Sequence, residues 1–130
     1  VSTSGREWAL RVLLVVPGVI HLLPLSGVLG AEALTRLYGL DFSTPDLEIL
    51  MRHRAVLFGM LGVLLCAAAF KPALRKLALL AGLASVVSFL VLAFSVGGYG
   101  EGVARIVTAD WVALICLVGA AGLLRWRASA

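Results

Sequence analysis

The chain has 130 residues, 62% of them hydrophobic and only 14% charged, with a net charge of +4 and a mean hydropathy of +1.07. A soluble domain carries about 25% charged residues and, at this size, needs polar surface over most of its area; here there is no Asn and no Gln at all. An ordinary soluble enzyme, a disordered chain and a disulfide scaffold are excluded, and the composition points to a small integral membrane protein.

A transmembrane helix needs about 20 apolar residues. The apolar runs predict four spans, over about 8–29, 51–70, 74–96 and 103–124, in a single domain. Three further apolar runs follow the first, so it reads as a span and not as a signal peptide removed from a soluble remainder. Pro17 and Pro24 cannot donate to the carbonyls of Leu13 and Ile20, which predicts a kinked span with free carbonyls near His21.

The residues at 30–50 form the one sizeable connection, placed on the outer side. Ala31 to Tyr38 reads as a short amphipathic helix that Gly39 ends. Thr44 followed by Pro45 predicts the next helix start, with a hydroxyl N-cap and proline at the first helical position. Asp46 and Glu48 then sit where carboxylates suit the helix dipole. Lys71-Pro72 stops span two, Gly97, Gly98 and Gly100 make the following turn, and Arg125-Trp126-Arg127 closes span four.

The N-terminus, the 71–76 loop and the C-terminus share seven basic residues: Arg6, Arg11, Lys71, Arg75, Lys76, Arg125 and Arg127. The opposite side holds four, Arg36, Arg52, Arg54 and Arg105, among six acids. The positive-inside rule therefore predicts an all-α four-helix transmembrane bundle with both termini cytoplasmic. The inner basic residues read as headgroup anchors, with Trp8 and Trp126 at the inner interface and Tyr38 and Tyr99 at the outer. The same reading leaves no role for nucleic acid. Cys66 and Cys116 lie inside apolar runs and read as packing residues; no spacing suggests a metal site.

Ionisable residues inside spans are the functional candidates. At about 1.5 Å rise per residue, His21 falls near the midplane, Asp110 in the outer third, and Arg52 and Arg54 at the outer edge. Arg52 shares a helix face with Ala55, Gly59, Gly62 and Cys66, a small-residue face that suits close helix packing. Arg54 shares the bulkier face with Phe58, Leu61 and Leu65 and is expected to snorkel toward headgroups. The charges admit two readings. One is a structural ion pair of Arg52 with Asp110 or Glu48; the other is an outward polar pocket built from His21, Arg52, His53 and Asp110. His21 likewise reads either as the partner of Ser85 or Ser88 on span three, or as a donor to a lipophilic ligand such as a quinone or lipid. No nucleophile elbow, phosphate loop or other catalytic motif is present.

Gly-Val-Ile-His at 18–21, Leu37-Tyr38-Gly39, and Met51-Arg52-His53-Arg54-Ala55-Val56-Leu57-Phe58-Gly59 resemble small bacterial four-helix membrane proteins of the DoxX-like kind, over about residues 10–124. The resemblance implies a multi-pass protein of the bacterial inner membrane, in some cases an accessory subunit of a quinone-linked or oxidant-handling complex. It directs attention to His21, Arg52, His53 and Arg54. Two function classes stay open. One is a lipophilic-ligand-binding or accessory module of a membrane redox or lipid process, partnered by membrane lipid or a membrane complex. The other is a homo-oligomeric transporter or channel, which needs a polar path running on past Leu13 and Leu117.

Overall fold

A computed structural model describes residues 2–129, apart from the side chains of Arg127 and Ala128. Arg127, counted among the inner basic anchors, thus has its side chain outside the described residues. Among the described residues the chain is helical throughout, with no strand: α1 (Thr3–Leu22), α2 (Ala31–Tyr38), α3 (Pro45–Phe70), α4 (Arg75–Val96) and α5 (Glu101–Ser129). Four segments are long and apolar enough to cross a membrane: Thr3–Leu29, Pro45–Phe70, Pro72–Val96 and Glu101–Trp126.

The first span is built differently from the expectation. Pro17 sits inside an unbroken α-helix. The change comes at Pro24, where the chain tightens into a 3-10 helix over Leu23–Leu29. Proline cannot donate to the carbonyl four residues back, and the tighter winding carries the span onward without that bond. The connection to α3 follows the predicted punctuation more closely. Gly39 ends α2 in the left-handed conformation, φ 68°, with its N–H on the Thr35 carbonyl. Pro45 opens α3, but the Thr44 hydroxyl makes no capping bond. In the loop before it, Asp41 instead accepts from the Ser43 N–H and hydroxyl.

Helix packing in lipid gains little from the hydrophobic effect, because the alternative environment is as apolar as the core. Close contact has to supply the stabilisation, and the glycines of the small-residue face permit it. A Cβ on Gly62 would stand 2.8 Å from the Gly18 carbonyl oxygen, and one on Gly18 would stand 2.5 Å from Cys66 Sγ. α1 and α3 therefore meet backbone to backbone. The bulkier face of α3 is covered as well: Leu65 packs with Gly82 of α4 and Leu117 of α5. Leu10, Leu14, Leu65 and Leu117 form the buried centre of the half that holds the chain termini. A smaller cluster of Leu34, Tyr38 and Phe42, backed by Met51 and Ile106, closes the opposite end.

Two anchoring assignments are corrected. Arg75 does not reach for headgroups. It is 2% exposed and bonded to Glu7 and to the end of α3. Tyr38 is not an interface marker but a buried member of the smaller cluster with Leu34 and Phe42.

Candidate functional site

Between the 3-10 segment, α2, α3 and α5 lies a cavity of about 320 Å³ in the half of the bundle away from the chain termini. His21 of α1, Tyr38 of α2, Arg54 and Phe58 of α3, and Asp110 of α5 line it, with Arg36 and Arg105 also on its wall. Its depth is set by buried groups and its mouth by exposed ones. His21 is 1% and Asp110 5% exposed, whereas Arg36, Arg105 and Leu23 are exposed.

Arg54 organises the interior. Its Nη1 donates to the Tyr38 hydroxyl at 2.7 Å. Its guanidinium carbon lies 4.4 Å from the centre of the Phe58 ring and 5.6 Å from that of Tyr38. A half-buried cation over aromatic faces is stabilised by about 0.5–2 kcal/mol, which offsets part of the cost of holding it there. Arg54 is also within electrostatic reach of Asp110. The two form no direct salt bridge, and Asp110 makes no hydrogen bond to a described residue.

The expected Arg52–Asp110 pair is thus replaced by an Arg54–Asp110 relationship across the cavity. Arg52 takes the other expected partner, Glu48, at 3.4 Å, and donates from Nε to the Val28 carbonyl at 2.8 Å. The expectation that Arg54 snorkels outward is overturned. Both faces of α3 are covered, the small one by α1 and the bulky one by α2, α4 and α5. An arginine on the bulky face therefore points inward too. His53 is exposed and, like Arg52, takes no part in the cavity wall.

His21 does not bond to a serine of α4. Its Nδ1 lies 2.7 Å from the Pro17 carbonyl, one turn back on its own helix, and its ring rests on Phe58 with centroids 5.5 Å apart. Ser88 is satisfied within α4 by the Ser85 carbonyl, a local bond that serines in apolar helices commonly make. Nε2 of His21 is buried with no hydrogen-bond partner among the described residues.

Tyr38 and Arg105 are not singled out as site residues in the sequence; the DoxX-like resemblance points to Arg54, while its helix face argues for headgroups. A local signal is present for Arg54 as well: Phe58 stands four residues later on the same face, an arrangement that offers a cation a ring. For Tyr38 and Arg105 no local signal exists, because a crossing of α2 over α5 brings them in. At that crossing a Cβ on Gly102 would collide with the Tyr38 backbone carbonyl.

The cavity wall carries three arginines and one acid, a positive balance that suits a polar or anionic head. Among the described residues, no group of three or more His, Cys, Asp or Glu side chains is placed to hold a metal ion. Comparison with known proteins finds no matching family model, no matching curated protein and no matching solved structure.

Proposed function

We propose that this protein holds a lipophilic ligand, a quinone or a membrane lipid, with its polar head in the outer cavity, and serves a membrane redox or lipid process as a binding or accessory subunit. One observation carries the reading: a buried ring nitrogen of His21 with no hydrogen-bond partner among the described residues faces a cavity whose inner end is closed by apolar packing. Polar groups in lipid need partners, and His21 Nε2 has none among the described residues. Beneath it Leu14, Leu65 and Leu117 are fully buried. The transporter or channel alternative requires a polar path through that layer, and the closed apolar layer favours a binding pocket over it.

The setting proposed is the bacterial inner membrane, with both termini cytoplasmic. An even number of crossings returns the chain to its starting side, and the seven-to-four basic excess favours that side as the inner one. Kinship with DoxX-like proteins is part of the same proposal, supported by the motifs at 18–21, 37–39 and 51–59.

The test leaves the polar groups untouched. Ala109 lines the cavity, and Ala109→Phe fills it. Protein purified in mild detergent and examined by native mass spectrometry should carry an amphiphile in the wild type and lose it in the filled variant, at equal helicity and equal elution volume. Equal loading of the two proteins, or none in either, would sink the proposal.

A further inference from the structure

The deepest polar groups of the cavity are acceptors that lack donors. The Pro17 carbonyl beside His21 Nδ1 can only accept, so Nδ1 carries the ring proton. In the neutral imidazole Nε2 is then a bare lone pair, and this atom is buried with no hydrogen-bond partner among the described residues. An ionised Asp110 is acceptor-only as well, and it makes no hydrogen bond to a described residue. Arg54, the cation that acts electrostatically on Asp110, is engaged by the Tyr38 hydroxyl and two aromatic faces.

Resting on the reading that the cavity holds an amphiphile, we infer that the head it selects bears hydroxyl groups. The O–H bonds donate to His21 Nε2 and Asp110, and the hydroxyl oxygens accept from Arg54. A head made only of carbonyls or alkylated phosphate would set acceptors against acceptors. A site built to hydrogen-bond a hydroxyl rejects the analogue that lacks it, because its own polar groups are left unpaired. Water at these positions is displaced without loss only by a group that reproduces its hydrogen bonds. Two sources share this chemistry: a tailed hydroquinone and a glycerol-headed phospholipid.

Binding to the full-length protein in detergent separates them. One arm compares a tailed hydroquinone with its quinone under anaerobic conditions. The other compares phosphatidylglycerol with phosphatidylmethanol, which has equal charge and no free hydroxyl. We expect the hydroxyl-bearing member of at least one pair to bind about tenfold more tightly, and the pair that discriminates identifies the source. Asp110→Asn, nearly isosteric, places an N–H donor where there was only an acceptor and should shrink that ratio; His21→Phe, which keeps a ring on Phe58, should do likewise. Equal binding within both pairs, or a ratio that survives both substitutions in folded protein, overturns the inference while leaving an occupied cavity. Failure of all four probes to bind overturns the binding function itself.

Discussion

Arg75 at the start of α4 forks onto Glu7 in the first turns of α1, with Nη1 to Oε2 at 3.2 Å and Nη2 to Oε1. The same guanidinium donates from Nε to the Ala68 carbonyl and from Nη2 to the Ala69 carbonyl, each at 3.1 Å. Those carbonyls belong to the last turn of α3, where four acceptors lack helical partners. One side chain thus caps α3, begins α4 and holds α1. Arginine suits the task because its planar fork reaches several acceptors at once.

Glu7→Ala should destabilise the protein strongly, because it leaves a buried guanidinium without its counter-charge. Breaking a buried pair by removing one partner costs about 3–5 kcal/mol. Thermal unfolding in detergent should show a large fall for Glu7→Ala and for Arg75→Ala, and a double variant less destabilised than the two losses summed. Simple additivity would mean that the two residues act independently.

The two arginines that open α3 should differ in consequence. Arg52 is half-exposed and pairs with Glu48 on its own helix, an arrangement worth about 0.3–0.5 kcal/mol. Arg54 holds Tyr38, Phe58 and the field at Asp110. Arg54→Leu should lower the unfolding temperature and loosen α2, detected as faster amide exchange over residues 31–38; Arg52→Leu should leave both nearly unchanged. The reverse ranking would place Arg52 inside.

Glycines divide by what a methyl group would meet. Gly102→Ala drives a Cβ into the Tyr38 carbonyl, and overpacking of this kind costs about 1–3 kcal/mol. Gly122→Ala meets nothing within 4 Å and should be neutral or stabilising by up to about 1 kcal/mol through helix propensity. Paired melting curves check both signs, and a stable Gly102→Ala would disprove the close α2–α5 crossing.

Orientation is open to direct labelling. Single-cysteine variants at Ser2 and Thr44, made without the two native cysteines, should react oppositely with a membrane-impermeant thiol reagent in intact cells. Thr44→Cys should label from outside and Ser2→Cys only after lysis. Labelling of Ser2→Cys from outside would reverse the topology.

By itself the sequence determined the number of spans, their approximate limits and most of their punctuation. Hydropathy, Gly39, Pro45, Lys71-Pro72 and Gly97 act locally, through side-chain solvation and backbone geometry within a few residues. The small-residue stripe on α3 also marked a close helix contact, since glycine is what permits backbones to touch, and the fold gives that contact to α1. Tertiary structure alone decided which charges turn inward. Arg52 and Arg54 lie on opposite faces, and periodicity assigns one face to the core only when a helix has neighbours on one side. α3 has neighbours on both, so Arg54 is enclosed by Tyr38, Phe58 and Asp110 while Arg52 stays at the rim. The fork of Arg75 onto Glu7, 68 residues away in sequence, arises likewise from packing among distant segments. Such contacts leave no periodic trace in the chain, because a buried polar group is satisfied by whichever acceptor or donor the fold brings within reach.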